Sequence, residues 1–155
     1  MRRYLSGRVF RRLRNCEGTN LVEAAIITPL LLLVTFGIVD FSALLYVDLA
    51  LQNGVSQASR YGVTGNVSGI LSREDSIRQA MRQSTPTLTI SDGAFTFSHL
   101  SGGTWVGGAG APGDIEKVAV DYNWQILTPW ISPFFTNGQI SFHVESSMKD
   151  ESLFQ

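Results

Sequence analysis

Residues 21–40 read LVEAAIITPLLLLVTFGIVD, and this stretch decides how the chain is organised. Its central sixteen residues, 24–39, contain no charged side chain. A membrane-spanning helix needs about 20 mostly apolar residues, and the stretch reaches that length when its flanking residues are counted. A buried core helix could account for the apolar residues alone, but it would not account for the charges that precede them.

The residues before the apolar stretch are strongly basic. Residues 1–18 hold six of the twelve basic residues and one acid, a net charge near +5, whereas residues 19–155 hold six basic and twelve acidic residues, near -6. Basic residues stay on the cytoplasmic side of a membrane helix. We therefore predict a single-pass protein with a cytoplasmic N-terminus and an outer C-terminal domain. The six basic residues within residues 1–18 are Arg2, Arg3, Arg8, Arg11, Arg12 and Arg14.

Composition excludes several function classes. With 44% hydrophobic and 16% charged residues the chain is typical of globular proteins and not of disordered ones. A chain with one cysteine, Cys16, cannot form an intramolecular disulfide. The basic residues outside the N-terminal leader, residues 1–18, are too few for nucleic-acid binding. The two histidines, His99 and His143, have no neighbouring nucleophile or metal-ligand pattern. We expect no enzyme, no cofactor, no metal and no nucleic-acid partner.

The junction between the basic leader and the apolar stretch carries two candidate functional positions. Gly18 ends the leader, and Glu23 is the fifth residue after it. An ordinary secretory signal has a shorter apolar region and a small-residue cleavage site after it, and neither feature is present. The simplest alternatives are that Gly18 only breaks the chain before a helix capped by Thr19 or Asn20, and that Glu23 only complements the helix dipole.

The sequence around this junction resembles the TadE-like pseudopilins of the tight-adherence (Tad, Flp) pilus system. The resemblance covers Gly18 to Tyr61 and rests on EAAIITP at 23–29, LLLL at 30–33, FGIVDF at 36–41, LQN at 51–53 and ASRY at 58–61. Members of the family usually carry an aromatic residue after the glutamate, where this chain has Ala24. They also carry Glu-Gly before Ala-Arg-Tyr, where this chain has Gln57.

The resemblance implies specific roles for three residues. A prepilin peptidase would cut between Gly18 and Thr19, and Glu23 would pair with the new N-terminal amine of a neighbouring subunit. The protein would then be a structural minor pseudopilin of the bacterial inner membrane, with a periplasmic outer domain. Its expected partners are the peptidase, other pseudopilins, Tad inner-membrane components and the lipid bilayer. The alternative is an uncleaved, membrane-anchored binding module, since TadE-like domains also occur in uncleaved proteins.

The helix is predicted to continue beyond the membrane, over residues 19–61. Apolar residues recur there at spacings of three or four, which is typical of an amphipathic helix. They are Leu44, Val47, Leu51, Val55 and Ala58. We expect this stripe to pack on the C-terminal domain, and the alternative is that it binds partner pseudopilins. Pro29 is expected to kink the helix.

Residues 62–155 are predicted to form a small α+β domain. A short helix lies within 71–84, with Ser72 as its N-cap and Asp75 at the third position. Alternation with a period of two predicts an antiparallel sheet of three or four strands. The strand candidates are 87–90, 95–99, 116–124 and 139–147.

Two loop segments between the predicted strands are distinctive. The glycine-rich residues 101–113 are predicted to be a long flexible loop in which Trp105 covers the core, with a partner contact as the alternative. The aromatic segment 127–135 is either an exposed contact patch or a plug at one end of the sheet.

Overall fold

The computed structural model describes residues 17–64, 71–111 and 113–150. Residues 1–16 of the basic leader, with Cys16, lie outside these ranges, as does most of the segment 62–69, whose glycines predict a turn-rich linker. The chain divides into two compact units, and the division falls between Phe36 and Gly37. The order of elements is a long helix, a short helix and a four-stranded antiparallel sheet, so the predicted α+β fold is confirmed.

The long helix, α1, runs from Glu17 to Val63 and has 47 residues. It begins two residues before the predicted start and ends two residues after the predicted end. Pro29 lies inside it. The missing N–H of a proline costs one helical hydrogen bond, which neighbouring groups in a membrane can offset.

The short helix, α2, runs from Arg73 to Ser84. Ser72 caps it as predicted, because its hydroxyl accepts a hydrogen bond from the backbone N–H of Asp75 at 3.1 Å. The side chains of Ile77 and Met81 are fully buried, whereas Ala80 is half-buried. The cap therefore fixes the start of the helix and the apolar pair fixes the face that it buries.

The sheet contains β1 (Phe95–Ser101), β2 (Thr104–Gly107), β3 (Ile115–Gln125) and β4 (Gln139–Lys149). Its strand order is β2-β1-β3-β4, and every neighbouring pair is antiparallel. Three of the four predicted strands are therefore present. Because successive side chains along a strand point to opposite faces, one face of the sheet can pack on the helices while the other faces solvent.

Two predictions for the loops are wrong. Residues 87–90 form no strand: the N–H of Leu88 bonds the carbonyl of Thr85 at 3.1 Å, which makes a turn after α2. Part of the predicted loop 101–113 is β2, which pairs with β1 through a two-residue turn. Gly102 and Gly103 have φ of 58° and 85°, and positive φ at both central residues is the hairpin turn that matches strand twist.

The core joins both helices to one face of the sheet. Its buried residues are Val47, Leu51, Val55, Ala58, Ile77, Met81, Ile90, Phe95, Phe97, Val118 and Val120. The predicted stripe on α1 thus packs against its own domain, because four of its five residues belong to this core. The fifth, Leu44, is half-buried and lines a cavity described below.

The other face of the sheet is held by polar pairs between strands. His143 Nδ1 lies 2.7 Å from Asp121 Oδ1, and Lys117 Nζ lies 3.3 Å from Glu145 Oε2. Trp105 is on this side and is 45% exposed, with the Lys117 ammonium 4.6 Å from its ring centroid. The prediction that Trp105 covers the core is therefore wrong, because the hairpin holds it on the solvated face.

Candidate functional sites along the long helix

The first half of α1 exposes most of its side chains. Large apolar side chains there are exposed on every side of the helix, from Leu21 at 71% to Val39 at 51%. An amphipathic helix would hide one face, whereas a helix that is apolar all round requires an apolar environment. Among the described residues, α1 is the one helix long and apolar enough to cross a membrane. This supports membrane anchoring.

Gly18 and Thr19 lie in the first turn of α1 and are exposed. A Cβ added to Gly18 would meet no atom within 4 Å. The fold of the described residues therefore does not require a glycine at this position.

Glu23 is also exposed, one and a half turns further along the helix. It has no hydrogen bond or ion pair with any residue in the ranges that the structure covers. The side chain is therefore available to a partner. The structure places Glu23 on the same helix as Gly18 and Thr19 but forms no site from the three residues together.

Asp40 differs from Glu23, because its side chain is buried. It is 7% exposed, and neither carboxylate oxygen has a hydrogen-bond partner among the described residues. Asp40 lines a cavity of about 180 Å³ whose other walls are almost entirely apolar. The sequence, in which Asp40 follows Glu23 by one span-length, favours the outer interface over a buried place, but the structure shows the side chain buried. The walls are Gly37, Phe41, Leu44, Trp124, Ile126, Ile131, Phe135 and Ile140.

The model of one protein family, described as TadE-like protein, matches residues 18–60 of this chain. Residues 18–60 form a TadE-like segment. The match lies within α1 and covers somewhat over a quarter of the chain. It confirms the resemblance seen in the sequence, and it includes Gly18, Glu23 and Asp40. No curated protein and no solved structure matches the chain significantly.

The aromatic segment 127–135 contributes to the wall opposite the TadE-like segment. Ile131 and Phe135 line the Asp40 cavity, whereas Leu127, Trp130 and Phe134 are 63%, 61% and 85% exposed. Both readings of the segment are thus partly correct. One side of it closes the end of the sheet, and the other side presents an apolar surface.

A cluster of charged side chains lies near the end of the TadE-like segment. Arg73 Nη2 is 2.8 Å from Glu116 Oε2 and 2.6 Å from Asp150 Oδ2, and it donates to the carbonyl of Gly62 at 2.9 Å. Nη1 of the same guanidinium donates to the carbonyl of Gly110 at 2.7 Å. Arg73 therefore ties together the end of α1, the loop after β2, strand β3 and the residue after β4.

Burial has the largest effect on the pKa of one member of this cluster, Glu116. Burial raises the pKa of the Glu116 carboxyl, and the nearby Arg73 offsets part of this effect. Sequence patterns did not indicate the cluster, because its members are far apart in the chain. Within residues 17–64, 71–111 and 113–150 there is no group of three His, Cys, Asp or Glu side chains that could hold a metal ion.

Proposed function

We propose that this protein is a structural, pseudopilin-like subunit that takes part in the assembly of a Tad-type pilus or secretion machine. The proposal includes insertion in the bacterial inner membrane with the N-terminus in the cytoplasm and the domain outside. It also includes removal of residues 1–18 by a prepilin peptidase.

The observation that carries the proposal is the TadE-like match at residues 18–60, on a helix whose first half exposes most of its side chains. The helix exposes apolar side chains over its first half, and Glu23 among them has no partner within the described residues. A carboxylate near the end of an apolar helix is costly in a membrane and is generally retained for function. A neighbouring subunit's N-terminal amine, placed on Thr19 by cleavage, would neutralise it.

The intact mass of the membrane-extracted protein tests cleavage. We expect the mass of a chain starting at Thr19 in cells that contain a working prepilin peptidase. A Gly18→Leu variant should keep the full-length mass and the same fold, because no atom lies within 4 Å of the added Cβ. Gly37→Ala, an alanine at another open helical glycine, should still be cleaved. A full-length wild-type mass would overturn the cleavage step.

Glu23 substitutions test the assembly role. We expect Glu23→Ala to abolish pili, counted by electron microscopy, and Glu23→Asp to retain some of them. Asn20→Ala, one turn earlier on the same exposed helix surface, should leave pilus number unchanged. Normal pili in the Glu23→Ala strain, at normal protein levels, would contradict the role.

The runner-up function is an uncleaved anchor for an envelope-binding domain. The Asp40 cavity favours it, because a buried carboxylate in apolar walls is a feature of a binding site. A mass that includes Met1, together with normal pili in the Glu23→Ala strain, would replace the leading proposal by this one.

A further inference from the structure

We propose that the Asp40 cavity binds a lysine or arginine side chain from a different membrane protein. The inference concerns the compact unit of residues 37–155 and holds whether or not the leader is removed. It starts from the unpaired carboxylate, since a buried charge without a partner is unfavourable in apolar surroundings.

None of the cations within the described residues reaches Asp40. Four of the basic side chains form ion pairs or cation–π contacts elsewhere, and these are Arg73, Arg78, Arg82 and Lys117. Arg60 is twenty residues further along α1, about 30 Å at the helical rise. Lys149 is nine residues beyond the cavity residue Ile140 on β4, also about 30 Å. The described residues therefore leave the carboxylate without a cation, and another molecule can supply one.

The residues that line the cavity indicate which kind of cationic group fits it. Side chains of Leu44, Ile126 and Ile140 offer carbon surface, and Trp124 and Phe135 add aromatic rings. Lysine and arginine combine an apolar stem with a charged end, and their charge is attracted to aromatic faces. A volume of about 180 Å³ is smaller than the usual cavity for a whole small ligand, so a single side chain is the better occupant.

Other cations match the walls less well. A metal ion such as Ca²⁺ takes six or more oxygen ligands, whereas the cavity lining offers one carboxylate among apolar groups. A lipid headgroup would bring a phosphate close to its amine. The lining has no cationic side chain to receive that phosphate.

The position of Asp40 indicates where the partner's cation lies. Asp40 is the first charged residue after the apolar run 24–39. Lysine and arginine side chains at the ends of membrane helices extend toward the interface. The fitting partner is therefore a protein whose own spanning helix ends on the outer side with a basic residue.

A soluble amine tests the chemistry of the cavity. The full-length protein in detergent micelles is titrated with n-butylammonium while the indole N–H signal of Trp124 is followed by NMR. We expect a saturable shift, and at least tenfold weaker binding in Asp40→Asn. Neutral n-butanol should bind both proteins equally weakly. Equal binding of n-butylammonium to both proteins would overturn the cation site.

Photo-cross-linking in cells tests the occupant. A photoreactive amino acid replaces Phe41, which lines the cavity and is 61% exposed, and the linked peptide is sequenced by mass spectrometry. We expect a different membrane protein, linked within one helical turn of a lysine or arginine, and loss of the product in Asp40→Asn. Cross-links only to lipid, to a second copy of this chain or to a segment without a basic residue would refute the assignment.

Discussion

Gly54 allows a direct test of how the outer half of α1 is used. It lies in the helix interior and is buried. A Cβ added there would lie 2.6 Å from Thr85 Cγ2 and 3.3 Å from both Cε and Cγ of Met81. Gly54→Ala should therefore destabilise the domain, even though alanine is the better helix former.

The expected magnitude follows from two opposing effects. Alanine in place of glycine inside a helix stabilises by about 0.5–1 kcal/mol, whereas overpacking a tight core costs about 1–3 kcal/mol. Thr85 is 1% exposed, and its hydroxyl donates to the carbonyl of Met81 at 2.9 Å, so it has little freedom to move. We expect a net loss of about 1–2 kcal/mol in the free energy of unfolding.

Urea unfolding in detergent micelles, followed by near-ultraviolet circular dichroism, measures this loss. Gly37→Ala is the matched control, because its Cβ would meet nothing within 4 Å, and it should unfold at the same urea concentration or a higher one. Thr85→Ser removes the clashing methyl, so adding Gly54→Ala to that variant should cause no further loss. If Gly54→Ala alone were as stable as the wild type, α1 would not pack on α2 as described.

Three further predictions concern the cap and two titrating groups. Ser72→Ala should cost about 1 kcal/mol of unfolding free energy, since α2 loses its N-cap bond; equal urea midpoints would contradict this. Because burial raises the pKa of Glu116 above 4.5, its contribution to stability is present below that value and is lost as the pH rises through the folded pKa. The free energy of unfolding of Glu116→Gln should therefore rise relative to that of the wild type as the pH is raised from 4 to 7 in the same urea assay. A difference between the two proteins that did not change with pH would show that burial does not control the pKa of this carboxyl. The hydrogen bond to Asp121 raises the pKa of His143 above 6.5. The contribution of this pair to the stability of the fold is therefore present below pH 6.5 and is lost as the pH rises through the pKa of the folded state. NMR titration should show a lower His143 pKa in Asp121→Asn, and an unchanged value would mean that the pair does not form.

The elements that the sequence predicted correctly are those governed by local pattern. The stripe through Leu51 and Val55 has the helical period, and Ser72 followed by Asp75 is a cap signature. Strand β2 was missed because its glycine-rich surroundings suggested a loop. The Gly102-Gly103 pair between two β-prone runs is a hairpin signal that could have revealed it.

The elements that could not be predicted depend on contacts between distant residues. Asp40 looked like an interface residue from its neighbours in sequence, but its cover comes from Trp124 and Ile131, more than eighty residues later. The cluster of Arg73, Glu116 and Asp150 likewise joins three parts of the chain. Periodicity describes one element at a time and gives no register between elements, so it cannot place such groups together.

The shared core also sets the order in which this protein can fold. Four of its residues are on α1, and the side chains that cover them are on α2 and the sheet. At about 5–20 residues per second, Val120 is synthesised roughly 3–13 s after Val55, which is 65 residues earlier in the chain. During that interval the core around the apolar stripe is incomplete, because Ile77 and Met81 of α2 are already synthesised but Val118 and Val120 of β3 are not. The protein therefore depends on the membrane surface, a chaperone or rapid delivery of the remaining chain to keep the stripe from aggregating.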